Sequence, residues 1–166
     1  MKKGESKTFT IAIQDGYTLK GATIDGVDVT VNNNTITISN VSTDKTLKVE
    51  AISNDVILLT KAPWYLKSIE YYEDNDFSYS LNLQETPERL TDKYFYYQNG
   101  TWEMISALGV SSGLGKWSIN GKVMTIGPVR TYEIKELTEK SFSNMTFLET
   151  LPNGKAKYQK LIYFRP

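Results

Sequence analysis

The stretch Tyr94-Phe95-Tyr96-Tyr97-Gln98-Asn99-Gly100-Thr101-Trp102-Glu103-Met104-Ile105 decides the reading of this chain. Runs rich in aromatic residues flank Gln98-Asn99-Gly100, the turn chemistry that joins two antiparallel strands. The same pattern recurs a few residues on, where Trp117 and Ile119 meet Val123 to Ile126 across Asn120-Gly121.

Upstream, Trp64 and Leu66 begin a strand that runs through Tyr71-Tyr72 to an acidic turn, Glu73-Asp74-Asn75-Asp76. Phe77, Tyr79, Leu81 and Leu83 then alternate with Ser78, Ser80 and Asn82, the period of two that a strand requires. Thr86-Pro87-Glu88-Arg89 reads as one short helical turn, with threonine as N-cap and proline in the first helical position. Downstream come Arg130 to Glu136, Ser141 to Glu149, the turn Pro152-Asn153-Gly154, and a last strand over Lys155 to Phe164. About eight or nine consecutive antiparallel strands with short turns tend to close into a barrel, because closure removes exposed edges. An open sandwich of the same strands is the alternative.

The first 55 residues differ in kind. They hold only two of the chain's 20 aromatic residues, Phe9 and Tyr17, and are rich in Thr, Val, Ile, Asn and Asp. Such a switch from aliphatic to aromatic filling predicts a domain boundary near Ser53-Asn54-Asp55, dividing 1–55 from 56–166. In the first part Phe9, Ile11 and Ile13 share one face, and Val27, Val29 and Val31 another. Asp15-Gly16, Asp25-Gly26 and Asn32-Asn33-Asn34 make the turns, and Ile36, Ile38, Val41, Leu47, Val49 and Ala51 complete a small aliphatic core. The expected fold class is all-β: a small sandwich-like module followed by an antiparallel up-and-down barrel.

Composition narrows the chemistry. Basic and acidic residues balance at 19 each, and the two halves are nearly neutral, so binding nucleic acid through a basic face is not expected. With no histidine and no cysteine, the usual general base, thiol catalysis, thiolate metal sites and disulfides all drop out. No cofactor is expected. Gly109 to Lys116 looks like a phosphate loop only superficially: Val110 stands where the first glycine belongs, and Trp117 where Ser or Thr would meet magnesium. It reads instead as a linker into a strand. The acidic turn at 73–76 lacks the alternating ligands and distant glutamate of a calcium loop, and reads as a solvated hairpin turn. Carboxylate pairs for glycosidic chemistry remain open, although no acid sits in an obviously apolar setting. The reading is a binding protein rather than an enzyme.

Two resemblances add expectations. Gly16-Tyr17-Thr18-Leu19, Asp25-Gly26-Val27-Asp28-Val29, Thr35-Ile36-Thr37-Ile38-Ser39-Asn40-Val41 and Lys45-Thr46-Leu47-Lys48-Val49 resemble the small immunoglobulin-like or internalin B-repeat modules of bacterial surface proteins. That likeness implies spacing or adhesion. Trp64, the Tyr94 to Trp102 hairpin, Gly115-x-Trp117-x-Ile119-x-Gly121, Tyr132-x-Ile134-x-x-Leu137-Thr138 and Tyr158-x-x-x-Ile162-Tyr163-Phe164 resemble lipocalin-like domains in exported lipoproteins of gut Bacteroidetes. This likeness implies a barrel, an exported location and a lipid anchor in the full-length protein. It also implies that Trp64 packs under Arg165 at the closed end, although Ala62-Pro63-Trp64 replaces the usual Gly-x-Trp opening. The start, Met1-Lys2-Lys3-Gly4, carries charge but no apolar run behind it. A cytoplasmic protein and an exported one lacking its signal both fit; the resemblance favours export, to the periplasm or cell surface.

Candidate ligand-binding residues follow from the barrel. Tyr79, Trp102, Trp117 and Tyr132 either fill the interior or line a cavity for one small ligand. Arg130 shares the face of Tyr132 and Ile134, and an inward arginine near the mouth can pair with a ligand carboxylate. The leading expectation is a monomeric barrel that binds a small apolar or amphipathic molecule. The second is a surface that binds a protein or glycan through exposed aromatics, for which Tyr65, Tyr71, Tyr72 and Tyr97 are the candidates.

Overall fold

The computed structural model describes residues 4–83, 92–106 and 108–166; the helical turn expected at 86–89 lies outside them. The chain divides into two compact units, Met1–Asp55 and Val56–Pro166.

In the first unit β1 (Lys7–Thr10) pairs antiparallel with β4 (Thr35–Ile38). A second sheet has the order β3 (Val27–Asp28), β2 (Tyr17–Ile24), β5 (Leu47–Ser53). The sheets share one core: Ala22, Ile36 and Ile38 are buried, with Phe9, Ile11, Ile24, Val29, Val31, Val41 and Leu47 packed against them. Asp25 and Gly26 both adopt positive φ, the geometry of a tight hairpin turn. Asn33 and Asn34 do the same between Asn32 and Thr35, whose backbones bond each other. Three expected core residues are exposed instead: Val27, which follows the turn directly, at 69%, Val49 and Ala51.

Where a connector was expected, the chain turns into a helix, α1 (Asn54–Thr60). The Ser53 hydroxyl accepts a hydrogen bond from the Asp55 amide at 3.2 Å, and Asp55 lies in the first turn, where negative charge is favourable. Val56 and the fully buried Leu59 pack on the aromatic core of the second unit.

That unit is built from β6 (Trp64–Glu73), β7 (Asp76–Asn82), β8 (Lys93–Tyr96), β9 (Thr101–Ile105), β10 (Ser111–Asn120), β11 (Val123–Ile126), β12 (Arg130–Leu137), β13 (Ser141–Thr150) and β14 (Ala156–Phe164). Neighbours from β8 to β14 pair in sequence order, and β14 returns to pair with β6 from Lys157↔Glu73 to Phe164↔Tyr65. That last pairing closes the ring and decides for a barrel over an open sandwich. The ring is split at one place. β6 pairs with β8 only at Trp64 and Tyr65, and with β7 from Ser68 to Glu73.

Alternating turns give the barrel two ends. The β10–β11 and β12–β13 turns lie with Trp64, Arg165 and α1 at one end. The β9–β10, β11–β12 and β13–β14 turns lie at the other. Gly100 and Gly154 each close a three-residue turn at positive φ, with Tyr97 N–H donating to Thr101 O and Leu151 N–H donating to Lys155 O, both at 2.8 Å.

The segment read as a linker is strand from Ser111 onward. Its glycines are there for packing: a Cβ on Gly115 would lie 2.6 Å from Trp102 Nε1, and one on Gly113 2.8 Å from Trp102 Cη2. The indole lies flat along a strip of bare backbone.

Candidate functional site

The barrel interior is filled near one end and hollow toward the other. At the filled end Trp64, Phe142, Leu59 and Met124 are fully buried. Trp64 Nε1 donates to the Leu59 carbonyl at 3.0 Å, so α1 is tied under the barrel by the ring it covers. Arg165 stacks on the Trp64 ring, its guanidinium carbon 3.8 Å from the ring centroid. Its Nη2 donates to Leu58 O at 3.0 Å and Ala62 O at 2.8 Å. This tryptophan–arginine pair is the one the resemblance implied.

Toward the other end lies a cavity of about 560 Å³. Leu66, Ile69, Ile126 and Leu161 supply aliphatic wall, and Trp102 with Tyr94, Tyr96, Tyr132 and Tyr163 supplies aromatic wall. Gly127 to Arg130, the turn into β12, reaches the mouth, and Gln159, two strands away on β14, joins the lining. Gln159 Nε2 donates to the Tyr71 hydroxyl at 3.0 Å. Among the described lining residues Arg130 is the one charged side chain, and none carries a carboxylate. The mouth turns carry exposed apolar residues, with Leu108 at 89% and Val129 at 82% exposure.

The five residues singled out from the sequence separate in space. Trp102, Arg130 and Tyr132 line the cavity together. Arg130 is solvent-exposed at the mouth, while Tyr132, two residues further along β12, is buried. Trp117 is outside the lining: its ring is buried edge-on to Tyr96 at 5.5 Å, and its Nε1 donates to Tyr97 O at 3.0 Å. Tyr79 stands on β7, 47% exposed, stacked on Tyr71 at 4.6 Å. Of the aromatics named for surface contact, Tyr97 is exposed, whereas Tyr65, Tyr71 and Tyr72 are half-buried by their strand neighbours. Tyr94, Tyr96, Tyr163 and Gln159 belong to the lining but were not singled out. Their signal, same-face positions on β8 and β14, becomes readable only once the strand register is known.

Electrostatics mark the inner wall. Burial, followed by the charge of neighbouring phenols, holds the Tyr96 and Tyr163 hydroxyls well above the ordinary phenol value. Outside, a hydrogen bond to Glu70 at 2.7 Å raises Tyr72 to about 12. The acidic turn after β6 is tied to the start of β14: Asp74 Oδ1 accepts from Ala156 N–H at 2.9 Å. Among the described residues no group of three His, Cys, Asp or Glu could hold a metal ion, and no helix is long and apolar enough to cross a membrane. No protein-family model matches the chain, nor does any curated protein.

Proposed function

We propose that the second unit is a carrier barrel that takes a small amphipathic molecule into its cavity, apolar body inward and acidic head at Arg130. One observation carries this reading: a space of about 560 Å³ lined by aromatic and aliphatic side chains, with Arg130 as the single cation among its described lining residues. Volumes of this size suit one small ligand, and apolar wall with few convergent polar groups is the usual make-up of such sites. Wall of this kind draws apolar surface from water, and a guanidinium at the mouth fixes orientation through a carboxylate without being buried itself. Exposed Leu108 and Val129 give an arriving amphiphile an apolar threshold. The chemistry is binding rather than catalysis. An exported, lipid-anchored setting, carried by the resemblance to exported lipoproteins, completes the proposal.

Native mass spectrometry of freshly purified protein tests it, followed by denaturing analysis of anything released. A co-purified or added amphiphile whose retention weakens in Arg130→Ala supports the reading. A clean apo mass, together with unchanged tryptophan emission across a panel of fatty acids and sterols, sinks it.

A second reading rests on β7. Phe77, Tyr79 and Leu81 are all exposed there, on a strand whose far edge is unpaired among the described residues. Such a surface suits a protein or glycan partner, and Tyr79→Ser would weaken that contact while leaving amphiphile binding intact.

A further inference from the structure

The inner wall of the cavity is not uniformly greasy. Tyr94, Tyr96, Tyr132 and Tyr163 come from β8, β12 and β14, and all four line the same space. The Tyr94 and Tyr163 rings meet edge-on at 5.3 Å. Tyr163 stacks on Phe142 at 5.1 Å, and Phe142 packs on Trp64 at 5.5 Å, which puts this phenol group at the deep end. The hydroxyls are close enough that Tyr94 and Tyr132 each hinder ionisation of both Tyr96 and Tyr163. Beside them on β13, Asn144 shares its face with Phe142 and sits opposite Leu161 and Ile134. It is 1% exposed, and neither atom of its amide has a hydrogen-bond partner among the described residues.

Purely hydrophobic filling would use phenylalanine and leucine at Tyr96, Tyr132, Tyr163 and Asn144, because buried polar groups without partners are costly. A wall of neutral phenols offers both donors and acceptors. It holds no cation, and low-dielectric surroundings penalise an ionised group there. An uncharged oxygen is the complement of that wall, and an anion belongs at the other end, beside Arg130.

We infer that the deep wall recognises a hydroxyl or carbonyl oxygen, so that the ligand is an elongated amphiphile oxygenated at both ends, with a neutral oxygen among the tyrosines and a carboxylate at Arg130. This rests on the carrier reading above and narrows it. Plain fatty acids then become poor ligands, because a methyl end leaves the Tyr96, Tyr132 and Tyr163 hydroxyls unmatched. A site built to hydrogen-bond an oxygen discriminates strongly against the analogue that lacks it.

The test is a titration followed by tryptophan emission, comparing ω-hydroxylauric acid with lauric acid near neutral pH. At roughly 30 Å³ per heavy atom either molecule occupies most of the cavity. The expected result is tighter binding of the hydroxy acid, on the order of ten-fold. In Tyr96→Phe, and separately in Tyr132→Phe, that preference falls toward unity; melting curves verify that each variant is folded. Equal or tighter binding of lauric acid by the unaltered protein overturns this inference and leaves the carrier reading standing. Binding of neither overturns both.

Discussion

Arg165 lies over Trp64, guanidinium carbon to ring centroid 3.8 Å, although 100 residues of sequence separate them. The contact joins the first barrel strand to the residue that follows the last one, at the place where β14 closes on β6. Cation–π attraction and two hydrogen bonds to the carbonyls of Leu58 and Ala62 act together. They latch the ring and the helix beneath it.

Replacing Arg165 with alanine removes the stacking, both of these hydrogen bonds and a third, from Nη1 to the Glu139 carbonyl at 3.3 Å. A loss of about 2–4 kcal/mol is expected in urea unfolding. Arg165→Lys should recover only part of it, since an ammonium cannot stack on the indole while bonding both carbonyls in a planar fork.

The strip of bare backbone beneath Trp102 predicts a local response. Gly115→Ala places a methyl 2.6 Å from Trp102 Nε1, so the indole must swing away from β10. Overpacking of this kind costs about 1–3 kcal/mol. Tryptophan emission should shift and amphiphile affinity fall together, because the displaced ring moves along the cavity wall. Unchanged emission in a folded Gly115→Ala protein would refute this packing.

Two turn glycines separate strain from crowding. Gly154 at φ +84° meets nothing within 4 Å, so Gly154→Ala should cost only the left-handed backbone penalty, about 1–2 kcal/mol. Gly100 at φ +77° would also bring its methyl 3.3 Å from the Trp117 carbonyl. Gly100→Ala should therefore lower the melting temperature more than Gly154→Ala does.

Alkaline pH should loosen the barrel. The folded pKa values of Tyr96 and Tyr163 are raised, chiefly by burial, from the ordinary 10.0. The unfolded chain therefore gives up these protons first. Stability is complete below about pH 10 and falls as pH rises from there toward the folded values. Thermal melts across that range should show the decline, and Tyr96→Phe should blunt it. If the variant declines as steeply as the unaltered protein, buried Tyr96 is not a source of the effect.

Much of the architecture was legible in local chemistry. Asn99-Gly100, Asn120-Gly121 and Asn153-Gly154 mark tight connections because only certain residues tolerate the backbone those turns need, and a turn is settled within a few residues. Period-two alternation likewise put Trp117 with Ile119 on one face of β10, and Tyr132 with Ile134 on one face of β12. The sequence was less informative at α1. Val56-Ile57-Leu58-Leu59 is too short an apolar run for periodicity to tell helix from strand.

Among the candidate residues, alternation put Arg130 on the face of Tyr132 and Ile134, because that relation is local to one strand. Alternation alone does not say how deep a side chain sits, or whether another strand covers it. Tyr79 alternates as regularly as any core residue, yet β8 leaves β6 before reaching it, and it stays 47% exposed beside Tyr71. Trp102 and Trp117 look alike in sequence; the glycines on β10 leave one along the cavity wall, while the Tyr97 carbonyl fixes the other in the packed end. The sequence by itself determined the strands and their turns, since these depend on neighbouring residues. Only the tertiary structure decided which aromatics fill space and which enclose it, because that depends on β14 returning to β6 and on the register with which the ring closes.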